Sequence, residues 1–113
     1  MDNCLFCKIV EGSIPSTVVA ETGRVLAFED INPAAPTHVL IVPKEHVADS
    51  AADLTPERGD LIAEIIGVAQ GIARDRGLDD GWRLVTNVGP GAGQTVFHLH
   101  FHLMGGWNRT SGL

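Results

Sequence analysis

The sequence is poor in positive charge and contains no basic cluster. Eight lysine and arginine residues stand against 14 aspartate and glutamate residues, which gives a formal net charge of −6. Broad nucleic-acid interfaces need clustered positive charge, so this balance argues against a nucleic-acid partner and against binding to an anionic membrane surface. An anionic small-molecule substrate stays compatible with it, because backbone N–H groups can hold a phosphate locally.

The sequence also lacks long hydrophobic runs. No apolar stretch approaches the ~20 residues that a membrane-spanning helix needs. The first four residues, Met1-Asp2-Asn3-Cys4, show neither the charged nor the apolar region of a signal peptide. We therefore expect a cytoplasmic protein without a membrane partner.

Cysteine is scarce, and its two occurrences, Cys4 and Cys7, lie close together. In a chain without a secretion signal, such a pair indicates metal or redox chemistry and not a structural disulfide. Its spacing is that of half a tetrahedral zinc site, and His46 and His98 are candidates for the two remaining ligands. Two alternatives stay open. A thioredoxin-type motif would follow a strand, although none is predicted before Cys4, and the two thiols could be unrelated buried side chains.

The distribution of apolar residues predicts one antiparallel α+β domain over residues 1–113. A long helix is predicted from about residue 56 to residue 76, with Thr55 as its N-cap and Gly77 directly after its end. Residues 4–11 form a short helical or turn segment. The predicted strands are residues 17–21, 25–29, 38–42, 82–87 and 98–104.

The most informative run is 97–104, where three histidines alternate with large apolar residues. Alternate residues of a strand share a face, so His98, His100 and His102 would line one face of the last predicted strand. At a rise of about 3.3 Å per residue, the outer two backbones lie about 13 Å apart, so one ion cannot bind all three. The central His100 is the best-placed nucleophile. His102, and His38 on a neighbouring predicted strand, are candidates for the same site.

A glycine-rich loop directly precedes the histidine run. Residues 89–93 contain three glycines and are followed by Gln94 and Thr95. Glycine lets backbone N–H groups approach a ligand closely, and the two polar side chains add donors. The loop is therefore a candidate phosphate cradle, although a generic turn would have a similar composition.

Together these residues resemble the histidine triad (HIT) family, whose hallmark is His-φ-His-φ-His-φ-φ with φ apolar. Residues 98–104 match every position of that pattern, and residues 28–33, 35–46, 87 and 93–97 look like other blocks of the family. The resemblance covers about residues 3–107. The third histidine is His102 and not glutamine, which separates the chain from the nucleotidyl-transferase branch.

The resemblance implies a fold of five antiparallel strands with one long helix and a short N-terminal helix. It implies a homodimer that joins two such sheets into ten strands. It also implies a purine nucleoside phosphoramidate hydrolase that acts at the α-phosphate and releases a nucleoside monophosphate. His100 would be the nucleophile that forms a nucleotidyl-histidine intermediate, with His102 and His38 in the phosphate site.

The resemblance further implies which residues bind the nucleotide and a metal. Asp30 would take the ribose hydroxyls. The base would lie between Phe6, Ile9, Phe28 and Ile31. The phosphate or the leaving group would be contacted by Asn87, Gly93, Gln94 and Thr95. A structural Zn2+ would be bound by Cys4, Cys7, His46 and His98.

Two other functions stay open. The chain could be a dinucleoside polyphosphate hydrolase, or a nucleotide-binding protein with little turnover. In the phosphoramidase branch a C-terminal tail reaches the partner's active site and influences substrate choice. Residues 105–113 have a different sequence here, so the preferred leaving group is open, as is the choice between adenine and guanine.

Overall fold

The computed structural model describes residues 4–107. Two helices, α1 (Leu5–Glu11) and α2 (Gly59–Asp75), accompany five strands, β1 (Val18–Glu21), β2 (Val25–Glu29), β3 (Thr37–Pro43), β4 (Trp82–Val85) and β5 (Phe101–Gly105). The strands form one antiparallel sheet in the order β1-β2-β3-β5-β4. This arrangement confirms the predicted α+β fold.

The central strand β3 is buried along its whole length. Val39 and Ile41 join the core beneath α2, whereas Leu40 and Val42 join a second core that contains residues of α1. Burial on both faces explains why this segment of the sequence is almost continuously apolar. The sheet therefore separates two layers, and the layer on the α1 side carries the candidate site.

Helix α2 covers the opposite face of the sheet through a stripe of buried residues. Leu61, Ile65, Ala69 and Ile72 recur at intervals of three or four residues and pack against the strands. Each fully buried large aliphatic side chain stabilises the fold by about 1.5–3 kcal/mol. Helix α2 therefore stabilises the sheet from the face opposite α1. It supplies no residue to the cavity that opens on the α1 side.

The start of the long helix differs from the prediction. Pro56–Arg58 forms a 3-10 turn, α2 begins at Gly59, and the Thr55 side chain makes no capping hydrogen bond. Thr55 is the N-cap residue of the 3-10 turn that leads into α2, with Pro56 at its first position, so the predicted position is right although the side chain does not cap it. The end is as predicted, because Gly77 adopts a positive φ of 67° directly after the helix.

The histidine run enters the sheet later than predicted. The β3–β5 register pairs Ile41 with Phe101, so its continuation would place Leu99 opposite Pro43. Proline has no N–H to donate to the ladder, and β5 begins only at Phe101. The prediction of a strand from residue 98 is therefore wrong at its start. His98 and His100 lie on an irregular segment, and of the three histidines only His102 lies on β5.

No helix within residues 4–107 is long and apolar enough to cross a membrane.

Candidate functional site

A cavity of about 650 Å³ opens on the α1 side of the sheet. Eight of its lining residues are among those that the sequence and the resemblance assigned to a nucleotide site: Phe6, Ile9, Phe28, Asp30, Ile31, Thr95, His100 and His102. Ile31 is 90% exposed and lies at the mouth, whereas Phe6 and Phe28 are buried and pack edge to face. Apolar walls with a few polar groups at one end suit a planar ligand that carries charge.

His100 has one ring nitrogen fixed by the backbone. Its Nδ1–H donates to the His98 carbonyl oxygen over 2.8 Å, which leaves Nε2 unprotonated. No partner for Nε2 is found within the described part of the chain, and the ring lines the cavity. Burial lowers the pKa of His100, so the neutral ring predominates at neutral pH. The geometry presents a free imidazole lone pair to a ligand.

His38 and His102 form a hydrogen-bonded relay, and a backbone amide determines which of the two rings donates to the other. The Ala34 N–H donates to His38 Nδ1 over 2.9 Å, so the proton of the neutral ring must lie on Nε2. His38 Nε2 lies 2.9 Å from His102 Nδ1 and therefore donates to it. The proton of neutral His102 is consequently on its Nε2. One amide thus determines the tautomers of two histidines.

His102 is held in its neutral form. Burial, together with the neighbouring His100 and His38, lowers the pKa of His102 to about 4. The ring lines the cavity beside His100, with the two ring centroids 5.1 Å apart. His102 can therefore offer an N–H to a bound oxygen at neutral pH without carrying a charge.

Asp30 lies between the cavity and the relay. Its Oδ1 accepts the Asn32 N–H over 2.8 Å, and its Oδ2 lies 3.3 Å from His38 Nε2. Asp30, His38 and His102 bring their ligand atoms within 4.8 Å of one another, as a metal site would. However, coordination through His38 Nε2 would move its proton to Nδ1, against the Ala34 N–H. We therefore interpret the cluster as a hydrogen-bonded relay and not as a metal site.

A second cluster, Cys4, Cys7, His46 and His98, brings four ligand atoms within 4.8 Å of one another. His98 Nδ1 lies 3.2 Å from Cys4 Sγ and 3.5 Å from Cys7 Sγ, and His46 Nδ1 lies 3.6 Å from Cys7 Sγ. Tetrahedral zinc with ordinary bond lengths would separate sulfur and nitrogen ligands by about 3.6 Å. The cluster is therefore compatible with a zinc site, and it gathers the four residues that the resemblance named.

The outer nitrogens of the two cluster histidines have acceptors. His98 Nε2 donates to the Pro43 carbonyl oxygen over 2.8 Å, and His46 Nε2 lies 2.8 Å from Asp49 Oδ1. Both Nδ1 atoms therefore direct lone pairs toward the thiols. Metal-binding histidines in proteins are commonly oriented by such outer partners.

Burial and close mutual contacts shift the pKa values of all four residues of the cluster. Burial alone would raise the pKa of the Cys4 thiol, but hydrogen bonds from the Cys7 backbone and side chain and the nearby His46 lower it. Burial and the neighbouring Cys4 raise the pKa of Cys7 to about 11. For His46, burial is outweighed by Asp49 and Cys4, which raise its pKa, whereas burial lowers the pKa of His98. The two thiols therefore do not ionise together readily, and a cation bound between them would favour ionisation of both.

The predicted phosphate cradle is only partly at the cavity. Thr95 lines it, whereas Asn87 and Gly93 do not. Gln94 is buried, and its side chain accepts the Gly89 N–H and donates to the Asp49 and Val96 carbonyl oxygens. Gln94 thus holds the loop against the segment that carries Asp49, and it is not among the residues that line the cavity.

The HIT domain family profile matches residues 11–109 of the chain. The chain belongs to the HIT family. A relative from Neisseria gonorrhoeae, Protein HitA, is 49% identical over 105 residues, which cover 93% of this chain and 97% of that protein. A 14 kDa zinc-binding protein from Zea mays is 47% identical over 103 residues, 90% of this chain and 80% of its own.

One further relative and one solved structure extend the comparison. Adenylylsulfatase HINT1 from Arabidopsis thaliana is 42% identical over 103 residues, 90% of this HIT chain and 70% of its own. A HIT family hydrolase from Clostridium thermocellum superposes with a TM-score of 0.94 at 46% identity, covering 100% of this chain and 98% of that one. The fold and the family are thus shared with proteins described as hydrolases.

The HIT site also contains residues that the sequence did not single out. Asp49 orients His46, and the Thr86 hydroxyl donates to the His100 carbonyl oxygen over 2.7 Å. Further parts of the cavity wall come from α1, from the segment between α1 and β1, from β3 and from the loop before His98: Leu5, Ile14, Pro15, Ser16, Thr17, Leu40 and Val96. Asp49 had a detectable signal, since it lies three residues after a candidate metal-binding histidine.

Proposed function

We propose that this HIT protein hydrolyses purine nucleoside phosphoramidates at the α-phosphate through a nucleotidyl-His100 intermediate. The orientation of His100 carries the proposal, because its Nδ1–H is used by the His98 carbonyl and its free Nε2 lies at the cavity. A nucleophilic imidazole needs this combination of one fixed and one free nitrogen.

The cavity suits the proposed ligand. Phe6, Ile9, Phe28 and Ile31 supply apolar and aromatic surface for a purine. Asp30 has one hydrogen bond from Asn32, and its remaining lone pairs can accept from the two ribose hydroxyls. The α-phosphate would then lie beside His100, with Thr95 and the His102 N–H as donors to its oxygens.

The proposed reaction has two steps. His100 Nε2 attacks the α-phosphorus, a P–N bond forms, and the bond to the leaving amine breaks while that amine takes up a proton from solvent. Water then attacks the phosphorus and breaks the bond to His100, and the proton that this water loses returns to solvent. His100 is thereby restored as the neutral ring, and the nucleoside monophosphate is released. A neutral His102 stabilises the charge on the phosphate oxygens by an N–H donated in both steps.

We further propose that Cys4, Cys7, His46 and His98 bind one structural Zn2+. The ligand separations, the outer hydrogen-bond partners of both histidines and the zinc-binding maize relative support this assignment. A bound zinc would connect Cys4 and Cys7 at α1 to His98, and so would fix the position of α1 relative to the segment that leads to His100.

A homodimer is the proposed assembly. β4 is an edge strand of the sheet, and Trp82 at its start is 37% exposed. Pairing of two such edges would make the ten-stranded sheet and would remove an unpaired edge from solvent. Sedimentation equilibrium measures the mass, and a monomer at micromolar concentration would overturn this part of the proposal.

Steady-state turnover of adenosine 5′-phosphoramidate tests the activity. We expect release of AMP by the wild type, loss of at least about 10³-fold in kcat for His100→Ala, and no change for Ile66→Ala on the exposed side of α2. Rapid quench into alkaline denaturant, in which a P–N bond to histidine persists, should trap a phosphorus–nitrogen adduct on the wild type only. Wild-type protein that binds AMP tightly but neither turns over nor forms the adduct would be a binding protein.

A mixed anhydride is the second candidate substrate. The Arabidopsis relative is named an adenylylsulfatase, and attack on adenylyl sulfate would use the same His100 step with sulfate as the leaving group. Values of kcat/KM measured side by side on the phosphoramidate, adenylyl sulfate and a dinucleoside polyphosphate would rank the three. A dinucleoside polyphosphate preferred over both others would overturn the substrate assignment while leaving the nucleophile intact.

A further inference from the structure

His98 belongs to the Cys4–Cys7–His46–His98 cluster and also contacts His100 directly. Its side chain is fully buried, and its Nδ1 lies between Cys4 Sγ and Cys7 Sγ at 3.2 and 3.5 Å. Its carbonyl oxygen accepts the Nδ1–H of His100, the bond that leaves the other His100 nitrogen free. One residue thus joins the candidate metal site to the nucleophile over a single hydrogen bond.

We propose that the Cys4–Cys7–His46–His98 cluster, when it holds its metal, positions the nucleophile through the His98 carbonyl. This inference rests on the proposed function, in which His100 is the nucleophile. His98 is then a positioning residue, and the metal has an effect on the rate of the phosphoryl step in addition to its effect on stability.

The backbone around His98 is not part of the sheet, so the direction of its carbonyl depends on how the His98 side chain is held. β5 begins at Phe101, so the sheet ladder does not set the direction of the His98 carbonyl. The nearest backbone tie is the Leu99 N–H, which donates to the Ala48 carbonyl oxygen over 2.9 Å. The orientation of the peptide group between His98 and Leu99 therefore depends on that bond and on what holds the imidazole of His98.

The imidazole is held at both nitrogens. Nε2 donates to the Pro43 carbonyl oxygen over 2.8 Å, which fixes the ring against the end of β3. Nδ1 faces the two thiols, so a metal there would hold the ring from its other side. Loss of the metal would replace a coordinate bond at Nδ1 by the weaker hydrogen bond with the Cys4 thiol, whose Sγ lies 3.2 Å from Nδ1. The His98 carbonyl would then gain freedom to move away from His100.

A second path leads from the metal cluster to His100 through α1. Cys4 and Cys7 flank Phe6, whose ring packs edge to face against His98 at 6.0 Å and against His100 at 4.9 Å between ring centroids. Release of the thiols would loosen the turn that carries Phe6. Both paths are continuous chains of contacts, and both end on the nucleophile.

Removal of one histidine ligand from either side of the cluster tests the inference. His98→Ala and His46→Ala each leave two thiols and one imidazole, yet only His98 touches His100. At zinc concentrations that saturate both variants, we expect His98→Ala to lower kcat by about 10- to 100-fold and His46→Ala by less than about threefold. The dissociation constant of AMP should change by less than about threefold in both.

Nitrogen NMR reports which ring nitrogen of His100 carries the proton. This tautomer would not change if the metal cluster only stabilised the fold. We expect the wild type and His46→Ala to show a single tautomer with the proton on Nδ1, and His98→Ala to show a mixture. His98→Cys restores a metal ligand at the same position, so its kcat should rise with added zinc toward that of the wild type. This variant also serves if His98→Ala fails to fold.

Equal losses of kcat in His98→Ala and His46→Ala, with the same His100 spectrum in both, would overturn the inference. A zinc-free wild type with unchanged kcat and unchanged tautomer would do the same. Failure of the proposed function is recognised separately, because the zinc-loaded wild type would then form no nucleotidyl-His100 adduct.

Discussion

Two clusters of histidines lie on the same side of the sheet and differ in what they can bind. Each gathers its ligand atoms within 4.8 Å. In the cysteine-containing cluster, the outer nitrogens of His46 and His98 donate to Asp49 and to the Pro43 carbonyl, so the inner nitrogens are lone pairs. In the Asp30–His38–His102 relay, the outer nitrogen of His38 accepts from Ala34, so its inner nitrogen carries a proton. The partner of a histidine's outer nitrogen therefore determines whether the inner nitrogen can bind a cation or donates a hydrogen bond.

The largest effect should come from removal of the proposed zinc. A ligand present at about a thousand times its dissociation constant stabilises a fold by about 4 kcal/mol, and each kcal/mol shifts Tm by about 4 °C or more in a domain of this size. We therefore expect chelation, or the pair Cys4→Ser and Cys7→Ser, to lower Tm by about 15 °C or more. Elemental analysis should give about one zinc per wild-type chain and per Asp30→Asn chain. Zinc retained by the double cysteine variant would contradict the comparison.

Breaking the relay should cost activity and leave zinc content unchanged. His38→Leu removes both the acceptor for Ala34 and the donor to His102, and we expect kcat/KM to fall by about 100-fold. His38→Gln keeps one acceptor and one donor, so its loss should be smaller, about tenfold. Steady-state kinetics with parallel metal analysis measures both quantities. Equal losses in the two variants would show that the direction of the relay is immaterial.

The relay should also make stability depend on pH. The pKa of His102 is about 4 in the fold, below the 6.5 of an unperturbed histidine, so the unfolded chain binds the proton first as pH falls. Stability from this group is complete above about pH 6.5 and is lost progressively toward pH 4. After allowance for solvent screening of a half-buried group, we expect His102→Gln to reduce this loss by about 1–2 kcal/mol. Urea unfolding of both proteins at pH 7 and pH 4.5 gives the difference, and identical pH profiles would contradict it.

The smallest effect concerns the outer partner of His46. Asp49→Asn keeps an acceptor for His46 Nε2 but removes the charge, so zinc affinity should fall by about tenfold. Turnover at saturating zinc should stay within about twofold, because Asp49 does not line the cavity that contains His100. Competition with a chromogenic chelator measures the affinity. A large loss of turnover at full zinc occupancy would place Asp49 in the path to the nucleophile.

The spacing of apolar residues in the sequence predicted the elements that are held by burial of apolar side chains. β3 could be recognised because both of its faces are buried, and α2 because its apolar stripe repeats at helical spacing. Strand geometry predicted that one ion could not bind all three histidines, and the resemblance assigned His98 to the metal cluster and His102 to the phosphate site. The structure places these two histidines in separate clusters.

The remaining features depend on three-dimensional hydrogen bonds that a linear pattern does not contain. Pro43 stops the ladder on a neighbouring strand, so the late start of β5 is invisible in residues 98–104 themselves. The direction of the Gln94 amide and the tautomer of His38 are set by backbone groups distant in sequence or hidden in a loop. The Asp30–His38 contact also follows from the β2–β3 pairing and not from spacing.

The N-cap of α1 has a consequence for the order in which the protein assembles. Cys4 Sγ accepts the Cys7 N–H over 3.2 Å, so an atom that begins this helix is also a candidate metal ligand. A helix of seven residues does not persist alone in water. We therefore expect the sheet and α2 to form first and α1 to close last, when the proposed metal binds. Since α1 carries Phe6 and Ile9, a newly made chain would acquire its ligand cavity at the same moment as its metal.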